Sequence, residues 1–318
     1  MTRPSLALLW ADAWIDVHEA RRLAGTRCLI SDNRADFTRA DAVIFPTPIL
    51  GDWLPPERSF PEQLWVQWSQ ESAVHYPQLL DDEFNSRFDL RMTYRLDSDV
   101  PIPYVAPDMF DALAPLTPLD RRNPVMVSAW TSSRWDRCGR DPYLLGLMNV
   151  LAVHSYGAIG HNCDLVDDTG PASKLAAISL YRFTLALENS MAPDYVTEKF
   201  FQPLMVGSVP IYRGAPNVAQ FAPAPHSYID ATDFSGPAAL AEFLSEMTDA
   251  EYLSYHSWRR HGPTDEWRAR FAPFAAHAFV RLARVVPTVA IGRRAAATID
   301  RVAPPPRSGR QSSRPPTG

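Results

Sequence analysis

Along the first hundred residues, short apolar runs alternate with stretches of helical spacing. Ser5–Trp10, Cys28–Ser31, Ala42–Phe45 and Leu64–Trp68 each read as a β-strand, the last rich in aromatic and β-branched residues. His18–Leu23 reads as a short helical piece between the first two. Strands separated by short helices predict parallel βαβ construction. A proline-dotted segment, Pro101–Pro124, reads as a linker. The pattern then restarts. Val125–Trp130, Val153–Gly157, Phe183–Leu187 and Val209–Tyr212 predict strands, Tyr143–Val153 and the stretch around Glu198–Val206 predict helices, and Leu240–Met247 and Asp265–Val286 predict amphipathic helices. Two α/β units joined near residue 115 account for this order, one over residues 1–115 and one over 116–300. No repeat of fixed period is present. Segment 301–318 holds Pro304–Pro306, Pro315 and Pro316 among Ser, Gly and Arg, cannot bury apolar area, and is expected to be disordered.

Composition adds exclusions. Of 318 residues, 46% are apolar and 11% aromatic, enough for a substantial core. Basic residues number 31 against 36 acidic ones, a formal charge of −5. Arg293–Gly318 carries six arginines and one aspartate, a local charge of +5 that leaves −10 on the rest, which excludes a globally basic nucleic-acid binder. At ~1 kcal/mol per basic residue near an anionic lipid surface, that tail sets an expectation of weak peripheral membrane contact. Cys28, Cys138 and Cys163, odd in number and scattered, exclude a disulfide framework. No apolar run approaches the ~20 residues of a membrane span, and Asp12 interrupts the first strand where a secretory signal would stay apolar. The expectation is a cytoplasmic protein, at most peripheral to the inner face of the membrane. Only two of the basic residues are lysines, Lys174 and Lys199. A lysine kept in so arginine-rich a chain draws attention as a compact ammonium where a planar fork would not serve.

The stretch Tyr181–Asp233 carries the chemistry. Phe183–Leu187 reads as a buried strand ending in Glu188-Asn189-Ser190, polar groups at the carboxyl edge where ligands sit in open α/β sheets. After a loop with Pro193, Asp194 and Tyr195, a helix begins near Thr197, whose hydroxyl can cap it, and Gly207 closes it. Phe200, Phe201, Leu204 and Met205 fall on one stripe, and Pro203 should kink the first turns. Lys199 thus lies in the first turn of a helix whose free N–H groups and positive dipole end face the same cleft, a place for a diphosphate. Glu198 beside it offers an acceptor for sugar hydroxyls or a purine edge.

Glu188-Asn189-Ser190, Asp194-Tyr195, Thr197-Glu198-Lys199, Val209-Pro210 and Gly214, preceded by Phe183 and Leu185, resemble the donor-binding block of the α-1,3/4-fucosyltransferases. Leu187 stands where that family usually has an aromatic. Two upstream segments agree in order: Met92 to Asp99 with Pro103-Tyr104, and the aromatic strand Trp65–Ser72, with Ala73 in place of a usual proline. The resemblance covers roughly residues 60–235. It implies a GT-B fold, two Rossmann-like domains facing a central cleft, the first taking the acceptor and the second the GDP-sugar. It further implies inverting transfer of L-fucose from GDP-β-L-fucose to an oligosaccharide hydroxyl, O3 of a GlcNAc residue, with no cofactor and no metal. By resemblance Glu71 is the general base. Lys199 and Arg140 neutralise the diphosphate, with Arg134 and Arg137 competing for Arg140's part. Asn189 and Tyr195 reach phosphate or fucose, Glu198 holds ribose hydroxyls, and Glu188 touches fucose or anchors its loop.

Asp97-Ser98-Asp99 matches the Asp-x-Asp pattern that binds Mn²⁺ and a nucleotide diphosphate in GT-A enzymes. It lies inside the block that resembles the fucosyltransferases and reads as structural or acceptor-side. His154, His161 and Cys163 fit no strong zinc-ligand spacing.

Overall fold

The structure, a computed structural model, describes residues 5–9, 28–50 and 57–289. The segments 10–27 and 290–318, which include the expected helical piece His18–Leu23 and the basic tail, lie outside the described residues, as does Trp10 at the end of the first strand.

Five strands form the first sheet: β1 (Ser5–Leu9), β2 (Cys28–Ser31), β3 (Ala42–Pro46), β4 (Leu64–Ser69) and β5 (Leu90–Thr93). All pair in parallel, in the order β2-β1-β3-β4-β5. The central strands β3 and β4 are buried at every position, as a parallel sheet covered on both faces demands. Edge strand β5 alternates, with Arg91 exposed between buried Leu90 and Met92. So short and polar a run gives a sequence reader no strand signal.

The second sheet holds β6 (Val127–Ala129), β7 (Val153–Ser155), β8 (Phe183–Leu187), β9 (Val209–Arg213) and the two-residue β10 (Ile229–Asp230). Its order is β10-β9-β8-β6-β7, again all parallel. Counted within each unit, both sheets therefore have the order 2-1-3-4-5, the flavodoxin-like doubly wound topology, whose ligand crevice opens between the first and third strands. In the second unit that crevice lies at the carboxyl ends of β6 and β8.

Helices α1 (Arg140–Met148), α2 (Pro171–Ile178), α3 (Glu198–Val206) and α4 (Pro237–Glu246) belong to the second sheet. After α5 (Asp249–Ser254), the long helix expected over Asp265–Val286 is broken into α6 (Asp265–Phe271), a 3₁₀ turn at Ala272–Phe274, and α7 at 278–289. Pro273 has no N–H to continue α6. Helix α7 then leaves the second unit. Phe279, Leu282 and Val286 are buried in the core of the first, with Ala7, Ile44, Val66 and Trp68. In the other direction, Val105 and Phe110 enter the second core beside Phe200, Trp258 and Trp267. Each core thus draws on residues from both sides of position 115.

The Pro101–Pro124 linker is tied to the second unit. Arg122 donates to Gly207 O at 2.7 Å, to Ser179 O at 3.2 Å and to Tyr181 O, and Arg259 donates to Ala114 O and Leu204 O. No helix among the described residues is long and apolar enough to cross a membrane.

Candidate active site

Helix α3 begins as the sequence predicts. Thr197 is extended, and its hydroxyl accepts from Lys199 N. Gly207, at φ 82°, closes it in the left-handed conformation that suits glycine. Pro203 is buried inside the helix.

The end of β8 is built around Glu188, which is 0% exposed. Its Oε1 accepts from Thr197 N at 2.7 Å and its Oε2 from Thr197 Oγ1 at 2.9 Å. Gly214 makes room for it, since a Cβ there would meet Glu188 Cγ at 2.5 Å. These contacts tie Glu188 to the turn that opens α3. Burial pushes its carboxyl up to about 7, against the pull of Lys199 and of the Thr197 donors.

Lys199 Nζ stands 3.1 Å from Glu198 Oε1, 3.2 Å from Thr197 Oγ1 and 3.8 Å from Glu188 Oε2. Burial opposes its charge, but Glu188 and Glu198 outweigh that and raise its pKa. Glu198 is half-buried, and desolvation opposes its charge, yet Lys199 and then Lys174 hold its carboxyl below the ordinary range. The chain's two lysines therefore converge on one carboxylate. Lys174 comes from α2 and lies 5.9 Å over the Trp130 ring. Trp130, at the end of β6, stacks on Tyr156 with ring centroids 4.2 Å apart and planes 3° from parallel. With Gln202, Asp164 and Asp168 they line a cleft of about 490 Å³ beside α3. Gln202 Oε1 is buried and accepts no hydrogen bond from any described residue. Motif reading singled out Lys199 but not Lys174, Trp130, Tyr156 or Gln202. The scarcity of lysine was the one signal pointing to Lys174.

The first unit meets this edge along a seam. Asp194 sits at φ 66°, a left-handed position that aspartate tolerates. Its carboxylate accepts from Asn217 Nδ2 at 2.8 Å and, across the seam, from Leu96 N at 3.1 Å. The turn delivers Tyr195 onto Tyr94 and Tyr104, with ring centroids 5.1 and 6.3 Å away. Tyr195 Oη donates to Glu71 Oε2 at 2.9 Å. Glu71 is held where β4 ends, its N–H donating to Ser69 Oγ at 3.1 Å and its carbonyl accepting from the same hydroxyl at 2.9 Å. Ser72 Oγ and Ser190 Oγ lie 2.7 Å apart across the seam, and His75 Nε2 is 3.2 Å from Asn189 O. Asn189 Oδ1 is buried with no partner among the described residues, an acceptor left open at the strand edge.

Arg140 lies beneath the loop that precedes α1. It is 1% exposed, with Nε 3.0 Å from Asp141 Oδ1 and Nη2 donating to the carbonyls of Ser133 and Trp135. In this arrangement it anchors its own loop, though its charge still reaches Lys199 and opposes protonation there. Arg134 and Arg137 are exposed on the same loop, and Arg137 N donates to Asn189 O at 2.9 Å.

The rival metal pattern is otherwise engaged. Asp97 pairs with Arg95 at 2.8 Å, Ser98 Oγ lies 2.6 Å from Thr93 Oγ1, and Asp99 accepts from Arg91 N at 2.7 Å. His154 Nδ1 is 2.8 Å from Tyr181 Oη, and His161 Nε2 is 3.1 Å from Asp164. Among the described residues no three His, Cys, Asp or Glu side chains are grouped to hold a metal.

The site thus brings together, at the carboxyl edges of two parallel sheets, a carboxylate from one unit and a lysine-bearing helix start from the other. Comparison with known proteins gives the family and the fold. The N-terminal fucosyltransferase family profile matches residues 2–105, and that of the glycosyltransferase family 10 (fucosyltransferase) C-terminal region matches residues 121–288. A fucosyltransferase-like protein of Arabidopsis thaliana is 34% identical over 228 residues, 70% of this chain and 43% of that protein. Alpha-(1,3)-fucosyltransferase B of Drosophila melanogaster is 29% identical over 264 residues, 77% of this chain and 59% of that protein. A 4-galactosyl-N-acetylglucosaminide 3-alpha-L-fucosyltransferase of Rattus norvegicus is 31% identical over 249 residues, 73% and 64%. The chain thus spans 43–64% of the length of these curated relatives. Among solved structures, an α1,3-fucosyltransferase with GDP-fucose shares the fold at a TM-score of 0.58 and 16% identity, covering 92% of this chain and 91% of that one. The two-domain GT-B-like architecture and the sequence blocks lead to one assignment: the chain belongs to glycosyltransferase family 10, the fucosyltransferases.

Proposed function

We propose that this chain transfers L-fucose from GDP-β-L-fucose to O3 of a GlcNAc residue in an acceptor glycan, inverting the anomeric centre without a metal. The observation that carries the reading is the 2.9 Å hydrogen bond between Tyr195 and Glu71, which brings a first-unit carboxylate to the donor-side helix start of the second. In the proposed reaction the acceptor hydroxyl attacks the fucose anomeric carbon from the face opposite GDP. Its proton passes to Glu71, and the bond from that carbon to the β-phosphate oxygen breaks. The charge left on GDP is met by the N–H groups opening α3, by Lys199, and by Arg140, whose field already reaches Lys199. Asn189 Oδ1, without a partner among the described residues, accepts from a fucose hydroxyl, and Glu198 takes the ribose. The nucleoside lies along the cleft of Trp130, Tyr156, Lys174 and Gln202.

The test is transfer from GDP-fucose to N-acetyllactosamine in EDTA, with GDP affinity measured by calorimetry. The wild-type chain should make the fucosylated product. Glu71→Gln should keep GDP affinity and lose on the order of 10²–10⁴ in kcat, the range for general-base removal. Full activity of that variant would remove Glu71 from the mechanism. GDP binding without any transfer would instead describe a nucleotide-sugar-binding module.

A further inference from the structure

The loop between β6 and α1 carries an indole that the donor chemistry does not use. Trp135 is 51% exposed, at the boundary between the units. Its ring centroid lies 5.3 Å from that of His75 and 5.6 Å from that of Tyr76, tilted by 39° and 41°. A second-unit side chain thus rests on two first-unit rings. The loop beneath it is pinned. Arg140 donates to the carbonyls of Ser133 and Trp135, Trp135 N donates to Ser133 Oγ at 3.2 Å, and Arg137 N donates to Asn189 O at 2.9 Å. The indole is therefore held in place with much of its surface bare.

Its location is specific. His75 and Tyr76 follow Glu71 by four and five residues, and the Glu71 charge acts on the Tyr76 hydroxyl, whose pKa burial and that charge raise together. Val74 and Met191, 40% and 41% exposed, add apolar surface next to the Ser72–Ser190 contact. A pyranose has a polar rim and apolar C–H faces, and a fixed, half-exposed aromatic surface is suited to take such a face, while the Arg134 and Arg137 side chains exposed on the same loop lie within the reach of a polar rim.

We propose that Trp135 is the stacking platform for the acceptor sugar, holding one face of its ring while a hydroxyl on its rim meets Glu71. The proposal rests on the fucosyltransfer reading of the site. It makes Trp135 a specificity-determining residue and assigns the loop before α1 to acceptor as well as donor.

The test measures KM for N-acetyllactosamine and for GDP-fucose in the wild-type chain, Trp135→Ala and Trp135→Phe. Acceptor KM should rise on the order of tenfold in the alanine variant. The phenylalanine variant should recover most of that loss, and donor KM should hold. An acceptor KM within about twofold of wild type in Trp135→Ala, or a rise confined to donor KM, overturns the proposal. Trp135→Leu, which keeps apolar bulk without an aromatic face, carries the same comparison if the alanine variant does not fold. Absence of both transfer to and binding of N-acetyllactosamine by the wild-type chain would instead overturn the functional reading, and the platform with it.

Discussion

Glu188 shows how burial decides what a residue in a recognised motif does. It is a carboxyl out of contact with water, given two donors by Thr197 and a lysine 3.8 Å away. Burial prevails and pushes the carboxyl up to about 7 from its ordinary value. Because the folded value lies above the unfolded one, the protonated form favours the folded state. That contribution is complete below about pH 4.5, declines as pH rises, and is gone above about 7. Stability should therefore fall by on the order of 3 kcal/mol between pH 4.5 and 7.5, and Glu188→Gln should flatten this part of the profile, read from urea midpoints across the pH range. A wild-type profile already flat there would mean that Lys199 keeps Glu188 ionised throughout. Glu71 and Lys199 were legible because both motif and strand-edge position pointed to them. The placements of Glu188 and Arg140 were not, since a sequence does not say whether a charged side chain at a strand edge or helix start turns toward the cleft or beneath a loop.

Helix α3 couples fold to site through one hydroxyl. Thr197 Oγ1 accepts from Lys199 N, donates to Glu188 and contacts Lys199 Nζ at 3.2 Å. Thr197→Val keeps the shape and removes all three interactions. It should cost about 1–2 kcal/mol of stability through the lost cap and the thinned shell of a buried carboxyl, and GDP affinity should fall because the lysine loses a support. Thermal melts and calorimetry check the two effects, and an unchanged GDP affinity would show that Lys199 is held without the cap. The same segment shows what local sequence determines well, since capping threonine, apolar stripe and closing glycine place α3 where it was expected. Helix α6 shows the limit. Its amphipathic pattern runs on through Pro273 without revealing that α7 leaves for another sheet, because an apolar stripe looks the same whichever core it faces.

At the scale of the whole molecule, the topology places the chemistry. Two sheets of identical strand order present their carboxyl edges to one seam, so a base and a phosphate site can come from different units. That alternation was readable as two α/β units, whereas the exchange of Val105, Phe110 and α7 between their cores was not. Phe279, Leu282 and Val286 each contribute on the order of 1.5–3 kcal/mol of burial to the first core. Deleting residues 278–318 should therefore abolish hydrogen-exchange protection in β1, β3 and β4 while β8 and β9 keep theirs. Retained protection in both sheets would show that α7 is dispensable to the first. The return of α7 also has a mechanical consequence. Among the described residues the chain passes between the units twice, and two bodies tied at two places can rock about the line through the ties but cannot swivel freely. Any opening between the units would thus be confined toward a single axis. The Tyr195–Glu71 and Ser72–Ser190 hydrogen bonds cross the seam, and a rotation about such an axis would have to break both.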